Sequence, residues 1–492
     1  MKHNKTRSNF PVLALSVLVC VLPACSMSPD YERPQTAVDN VQSYRNVDND
    51  QDAGVPPQST MTSAWWTSYD DDTLAEMIKT LDRQNLGLAA AAERIAQARA
   101  RGTQAGADLW PQIGAGASRT RTKSPANNGS RFSSFSAGDS YVTSYDASLS
   151  ASWQFDLFGK VAEARKSAQS LAEAAALDYD ALYQSLVAEL LNLRVSIAAT
   201  QRQIDFIEKL VANSTQQLES LKRRYNAGAG GVSALDLENA REAHARYESR
   251  KPALTAQLKD QLYKLDVLLG ALPGTYEQRL SNDFPLLPPP RDFSVPPPAA
   301  LLDERPDIMA DELRLMAANA DIGVAVADLY PGFGISGGYG FQSGQLDDLI
   351  RADQIAWNIA TNITMRIFEG GRLRSGIDIQ ESEAREMAAT YADTVLNAVR
   401  EVEIALVNER EFRREYHAIQ DRAYAGWTAE KFAKKRYEKG LIGLQDYLTI
   451  QSNYYEAQIA QIQTEQAIWQ ARIALHLALG GDWDRAGKQD NG

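Results

Sequence analysis

From Tyr141 to Leu157 the odd positions carry Tyr141, Thr143, Tyr145, Ala147, Leu149, Ala151, Trp153, Phe155 and Leu157. The even positions include Ser144, Asp146, Ser148, Ser150, Ser152 and Gln154. A period of two gives a strand one apolar and one polar face. The pattern returns at Ile355, Trp357, Ile359, Thr361, Ile363, Met365 and Ile367 against Asn358, Asn362, Thr364 and Arg366. In the run before it, Phe333, Ile335, Tyr339 and Phe341 alternate with glycine, serine and glutamine. Polar loops are expected at 120–140 and 343–353, so each half of the chain holds two strands.

The rest of the pattern is helical. From Lys160 to Asn226 there is no proline, and alanine, leucine, glutamate, glutamine and arginine dominate. This predicts one continuous helix of about 67 residues, roughly 100 Å at the helical rise. A second runs from about Arg372 to Lys439. Glycine clusters end both, at 228–231 and 440–443, where a left-handed C-cap is expected. The chain then returns through Ser233-Ala234-Leu235-Asp236, a capping-box pattern, and through its counterpart Gly443-Leu444-Gln445-Asp446. The return helices, about 234–269 and 444–479, are little more than half as long as the outgoing ones. Helices at about 85–109 and 307–329 would be stacked on them to make up the length, which favours a long helical cylinder.

These elements come in two sets. Ala107-Asp108-Leu109-Trp110-Pro111 recurs as Ala327-Asp328-Leu329-Tyr330-Pro331, 220 positions later. Asp156-Leu157-Phe158-Gly159-Lys160 is echoed by the stretch from Arg366 to Arg372, Arg224-Tyr225 by Arg436-Tyr437, and Leu269-Gly270 by Leu479-Gly480. Echoes in one order, 210 to 212 positions apart, predict a duplicated unit. A first repeat is expected over 65–281 and a second over 301–480. A proline-rich extended connector at 282–300 joins them, and a polar tail follows at 481–492.

The strand pattern carries the functional argument. A soluble sandwich would bury the apolar face. Here that face is paired with a fully polar one and has aromatic residues near its ends, which favours a transmembrane barrel. Four strands cannot close around a pore, and an open sheet cannot exist in lipid. The fold class is therefore an α+β membrane protein: an oligomeric transmembrane β-barrel with four strands per protomer, continued by the long helices as a tunnel.

The N-terminus supports export. Lys2, Lys5 and Arg7 precede an apolar run at 11–22, too short to span a membrane, and then Leu22-Pro23-Ala24-Cys25. Residues 1–24 read as a lipoprotein signal peptide, with Cys25 the acylated first residue of a tether over 25–64. The alternative is an ordinary signal peptide with an incidental cysteine. Ser26, rather than aspartate, follows Cys25, so the outer membrane is the expected destination. Cleavage would remove three positive charges and no acids, taking the formal net charge from −12 to −15. Such acidity argues against a nucleic-acid partner. With Cys20 removed and Cys25 acylated, no thiol would remain for a disulfide or a metal.

Nothing in the chain reads as an enzyme or as a cofactor site. The histidines His3, His244, His417 and His476 are scattered, and none stands at ligand spacing with another. The glycine clusters follow helix ends and lack a P-loop lysine. The eight methionines are dispersed and give no metal relay.

Taken together, Trp65-Trp66 with Tyr69, Glu304-Arg305-Pro306-Asp307-Ile308 and the repeated Ala-Asp-Leu-aromatic-Pro motif resemble the outer membrane factors, the TolC-like exit ducts. The resemblance covers nearly the whole mature chain and is to the NodT-type lipoprotein branch of tripartite efflux systems. It implies a homotrimer whose barrel is continued by a periplasmic helical barrel, a passive duct that docks to a periplasmic adaptor and a proton-driven inner-membrane pump and expels drugs or other small toxic compounds. It places Asp236 and Asp446 at a periplasmic gate, where inward carboxylates would favour cations. Their alternative reading is as helix-start caps. It also places Arg224, Tyr225, Arg436 and Tyr437 where neighbouring hairpins are held closed, and Gly230 and Gly440 in the adaptor contact. A type I protein secretion duct would share the architecture. A periplasmic coiled-coil scaffold lipoprotein would not need the alternating strands.

Overall fold

The computed structural model describes residues 27–46, 72–124, 140–228, 231–277, 280, 295 and 297–481. The signal segment, Cys25, Trp65-Trp66, Tyr69, Gly230, most of the connector and all but the first residue of the tail lie outside them.

Twelve elements follow in order: α1 (Asp72–Gln84), α2 (Leu86–Ala107), β1 (Gln112–Ser124), β2 (Ser140–Phe155), α3 (Lys160–Asn226), α4 (Ala234–Leu268), the one-turn α5 (Leu301–Glu304), α6 (Pro306–Ala327), β3 (Gly332–Ser343), β4 (Ile355–Thr364), α7 (Arg372–Glu438) and α8 (Leu444–Ala478). Short 3₁₀ turns lie at Pro298–Ala300, Leu346–Asp348 and Ala352–Gln354. The long helices α3 and α7 each have 67 residues, the return helices α4 and α8 have 35 each, and α2 and α6 have 22 each. No described helix is long and apolar enough to cross a membrane.

The chain divides into two units. The first takes 27–33, 95–174 and 312–389 and holds one four-stranded antiparallel sheet in the order β1-β2-β3-β4. The sheet is built by turns that the repeated motifs encode. At the end of α2, Trp110 N–H donates to Ala107 O at 3.0 Å, and at the end of α6 Tyr330 N–H donates to Ala327 O at 3.1 Å. Proline then stops each helix and the strand starts. On the way back, Asp156 accepts from Ala162 N–H at 2.8 Å and Glu369 from Leu373 N–H at 2.8 Å, carboxylates meeting orphan amides at the starts of α3 and α7. The motifs also meet: Phe158 stacks on Tyr330 with ring centroids 4.7 Å apart, Lys160 pairs with Asp328 at 2.7 Å, and Trp153 donates to Leu109 O at 3.0 Å.

The second unit takes 34–94, 175–311 and 390–481 of the described chain and is helical. Leu74, Met77, Ile78 and Leu81 recur at helical spacing along α1 and bury against Val187, Leu190 and Leu191 of α3, Leu265 of α4 and Ile473 of α8. Burial of each such side chain stabilises by about 1.5–3 kcal/mol. A second cluster joins Leu301, Leu302 and Ile308 to Tyr391, Val395 and Val402 of α7 and Leu475 of α8. Smaller clusters lie around Leu218, Leu221, Leu444 and Tyr447, and around Ile207, Leu210, Tyr247 and Tyr455.

Several expectations need correcting. The helix expected at about 85–109 is α2, but a further helix, α1, precedes it, and Asn85 separates the two by accepting from Leu88 N–H at 2.9 Å. Asparagine favours caps because its side chain competes for the backbone. Gly443 starts α8 with no side-chain cap, so it is no counterpart of the Ser233 capping box. Pro252 stands inside α4 without ending it, although it leaves Glu248 O without its helical donor. The tether region at 27–46 has no helix or strand, but it is docked. Val38 and Tyr44 are 3% and 4% exposed, and Glu403 accepts from the Arg45 and Asn46 amides. Two apolar side chains in a polar stretch suffice to anchor it.

Candidate functional site

Two regions carry the functional geometry, one in each unit. In the first unit the register fixes the faces of the sheet. Ile113, Ala151, Gly337 and Ile359 lie abreast, as do Ala115, Leu149, Tyr339 and Trp357. Trp153, Ile335 and Thr361 form a further row of the same face. The intervening rows are polar or small: Gln112, Ser152, Ser336 and Ala360, then Gly114, Ser150, Gly338 and Asn358. Because the side-chain period is two, this register keeps one face apolar across all four strands. That apolar face is exposed: Ile113 is 76%, Trp357 70% and Ile359 72% open to solvent. An exposed apolar surface spanning a whole sheet marks an interaction with lipid or another chain. Where the strands meet the helices, a cavity of about 620 Å³ is lined by Asp108, Gln154, Asp156, Lys160, Asp328 and Arg366 among others.

In the second unit the tip of the helical hairpins brings several predicted residues together. Tyr437, near the end of α7, is half-buried and stacks on Tyr447 of α8 with centroids 5.3 Å apart and planes 4° from parallel. Burial pushes the Tyr437 hydroxyl upward in pKa, while the Arg224 guanidinium, hydrogen-bonded to it, opposes that rise. Asp236 is close enough to add its charge to the same hydroxyl. Arg224, Asp236 and Tyr437 therefore form one constellation. Tyr225 and Arg436 are exposed beside it.

The two acids differ. Asp236 is committed to the capping box: its Oδ2 accepts from the Ser233 hydroxyl at 2.7 Å and amide at 2.8 Å, while Ser233 Oγ accepts from Asp236 N–H at 3.1 Å. The Ser233 hydroxyl, with its amide, holds the Asp236 carboxyl below the usual range. Asp446 is exposed in the first turn of α8. Gly440 ends α7 at φ +70°, donating to Tyr437 O at 2.9 Å while Leu441 N–H reaches Arg436 O at 2.9 Å. This left-handed cap satisfies the last carbonyls. Cys25 and Gly230 fall outside the described residues.

Sequence reasoning missed the partners of Tyr447. This residue is 5% exposed, donates to Glu430 at 3.1 Å and accepts from Gln451 at 3.0 Å. Burial, reinforced by the Glu430 carboxylate, drives its hydroxyl far above the ordinary range. Tyr455, one turn pair further along α8, packs edge-on against Phe206 and Tyr247 at 5.5 and 5.8 Å. The spacing of Tyr447, Tyr454 and Tyr455 was the available signal. Among the described residues no group of acids, histidines and cysteines is placed to hold a metal.

An exposed apolar sheet face backed by a polar one, on a chain dominated by 67-residue helices, defines a membrane-embedded strand protein with a long helical extension. The family model described as outer membrane efflux protein matches residues 77–271 and 298–481. The chain belongs to that family, and it is an outer membrane efflux channel protein. It is 30% identical to the outer membrane protein OprJ of Pseudomonas aeruginosa, over 96% of this chain and 97% of that one. It is also 30% identical to the pyoverdine export outer membrane protein OpmQ of Pseudomonas putida, over 87% and 89%. The Campylobacter jejuni CmeC outer membrane channel shares the fold with a TM-score of 0.83 and 23% identity, over 94% of this chain and 96% of that one.

Proposed function

We propose that three copies of this chain close a β-barrel of twelve strands' worth of sheet, four from each protomer, and continue it as a helical tunnel. The observation that carries this is the sheet itself: β1 and β4 are both edge strands, and the apolar face is exposed along its length. Unpaired edges cannot stand in hydrocarbon. Pairing β1 of one protomer with β4 of the next satisfies both and turns the serine-, glutamine- and asparagine-bearing face toward a water-filled lumen. The equal lengths of α3 and α7, of α4 and α8, and of α2 and α6 support two internal repeats.

The duct is passive, docks through its hairpin tips to a periplasmic adaptor and an inner-membrane, proton-driven pump, and passes drugs or other small toxic compounds. Names of relatives that export pyoverdine or toluene are consistent with small organic cargo. Cys25 carries the lipid anchor, Gly230 and Gly440 lie at the adaptor contact, and Arg224, Tyr225, Arg436 and Tyr437 hold the tips. Of the two acids, Asp446 is the better candidate for the gate, because the carboxylate of Asp236 already serves Ser233.

The test is the oligomeric mass of the mature protein purified in detergent, corrected for bound detergent. A trimer that conducts in a planar bilayer is the expected result. A stable monomer would sink the shared barrel.

A further inference from the structure

In a ring of repeats every junction between neighbours should be alike, and one such junction lies inside this chain. There β2 of the first repeat meets β3 of the second, with Ser152 opposite Ser336, Trp153 opposite Ile335, Gln154 opposite Gly334 and Phe155 opposite Phe333. The other junction joins β4 to a β1 that belongs to another copy, and both of its sides stand open in the protomer. β4 ends at Thr364, and 365–369 have no regular structure. Met365, Arg366 and Ile367 nevertheless continue the alternation of Ile363 and Thr364. Ile367 is 95% exposed and Ile113 on β1 76%, whereas Phe155, held beside β3, is 38% exposed.

The repeat supplies the register. α3 starts at Lys160 and α7 at Arg372, 212 positions later. The hairpins agree: Ser152 pairs with Gln112, and Thr364, 212 positions after Ser152, pairs with Gly332, 220 positions after Gln112. Transferred at these spacings, the β2–β3 register sets Thr364 opposite Gly116, Met365 opposite Ala115, Arg366 opposite Gly114 and Ile367 opposite Ile113. The apolar row then runs on across the seam, as a sheet with one apolar face requires.

The stagger is even as well. Crossing from β1 through β2 to β3, Gln112 comes level with Ser336, four positions past its counterpart Gly332. Crossing from β3 through β4 to β1 of the next copy, Gly332 comes level with Gly116, four positions past Gln112. Equal steps let the repeats close evenly, because strand number and stagger together fix a barrel. Aligning Phe158 with Phe368 at a spacing of 210 instead sets Thr364 opposite Gly114 and makes the second step two positions. Below the strands the transfer at 212 and 220 carries the Lys160–Asp328 ion pair to Arg372 and Asp108. Both are exposed in the protomer, where Arg372 lies 3.5 Å from Glu369 and Asp108 accepts from Gln112 at 3.1 Å.

We infer that β4 extends through Ile367 when it docks on β1 of the next protomer, in the register that sets Thr364 opposite Gly116, and that Arg372 pairs with Asp108 across this seam. The inference rests on the reading that three copies share one barrel, and it names the residues that join them.

Cysteine pairs in the full mature protein read the register. Thr364→Cys with Gly116→Cys puts the sulfurs on directly opposite residues, about 5 Å apart at Cβ, whereas Thr364→Cys with Gly114→Cys puts them on a diagonal of roughly 7–8 Å. A Cβ at Gly116 meets nothing within 4 Å and one at Gly114 meets only Ser150 Oγ, at 3.4 Å, so both variants fit. β1 and β4 are opposite edges of the protomer's sheet, about 14 Å apart, so a disulfide between them joins copies. After oxidation, a denaturing gel should show covalent trimer for the Gly116 pair at roughly tenfold the yield of the Gly114 pair or of either single variant. Preference for the Gly114 pair overturns the register. No cross-link from either pair in a protein of trimeric mass overturns the seam and leaves 365–367 to lipid. A wild type that is not trimeric overturns the shared barrel itself. Asp108→Lys should lower the temperature at which the trimer dissociates, and Arg372→Glu in the same chain should restore it; no restoration overturns the ion pair.

Discussion

Gly270 lies so close to Gln84 that a Cβ on it would come within 2.3 Å of the Gln84 carbonyl oxygen. Beside this contact, Asn85 Nδ2 donates to Leu268 O at 2.8 Å. The arrangement recurs in the second half, where a Cβ on Gly480 would be 2.8 Å from Glu304 O and Arg305 Nη1 donates to Ala478 O at 2.9 Å. Both glycines are left-handed, at φ +71° and +95°. Each joint locks the end of a return helix against the start of a stacked one. Gly270→Ala is expected to destabilise by about 2–4 kcal/mol through left-handed strain and overlap, and Gly480→Ala by somewhat less. Thermal unfolding of the purified variants checks the order.

Asp446→Asn should reduce cation preference in planar bilayers more than Asp236→Asn does. The Asp236 carboxylate is held by Ser233, whereas Asp446 is exposed. Asp236→Asn should instead loosen the first turn of α4, by about 1 kcal/mol, visible as faster amide exchange there. Equal loss of selectivity from both would place both acids in the gate.

Tyr437→Phe removes the acceptor for Arg224 but keeps the stack on Tyr447. Tyr447→Phe strips partners from half-buried Glu430 and buried Gln451. Each should cost about 1–3 kcal/mol at the tip and raise the open fraction of single channels, Tyr447→Phe more strongly. Unchanged conductance in both would place tip closure elsewhere.

Glu409 on α7 takes hydrogen bonds from Arg413 at 2.8 Å and from Arg472 on α8 at 3.0 Å, and it is 8% exposed. Burial alone would raise its carboxyl, but the two guanidinium groups outweigh it and hold it below the usual range. Glu409→Gln leaves Arg472, 6% exposed, without its counter-charge, and should cost about 3–5 kcal/mol. The double variant Glu409→Leu with Arg472→Met should recover much of this, as a double-mutant cycle would read.

Acid should weaken the second unit by two routes with the same sign. Burial, with the Arg472 charge, pushes His476 down to about 3. Below pH 6.5 the unfolded chain takes up a proton there that the folded one refuses until about pH 3, so stability falls across that window at up to roughly 1.4 kcal/mol per pH unit. Glu409 adds a stabilisation present above its unfolded pKa and lost as the pH drops through its lower folded one. His476→Gln should flatten the melting temperature between pH 6 and 4. No flattening would mean that the histidine is already solvated.

Period, proline and glycine made much of the fold legible. The 67-residue span of α3 was read to the residue because nothing in it interrupts a helix. The alternation of the strands survived because one slip would have reversed every side chain. What escaped were features that depend on neighbours far along the chain. Glu409 and Arg472 look like a solvated helix face until their helices are packed, and they lie 63 positions apart. Val38 and Tyr44 look incidental in a polar stretch until α7 and α8 receive them. Of the tip residues, the nearness of Arg224 to Tyr437 was suggested by the resemblance, but their mutual hydrogen bond needed the coordinates.

The hairpins of the two halves are not copies at their tips. One return helix begins at Ser233 with a full capping box, while the other begins at Gly443 with no side-chain cap. In a trimer the ring of six tips then alternates between two kinds, with threefold rather than sixfold symmetry. A partner arriving as six identical subunits would face two unlike sockets in turn, so its copies must adapt in pairs or bind with two affinities.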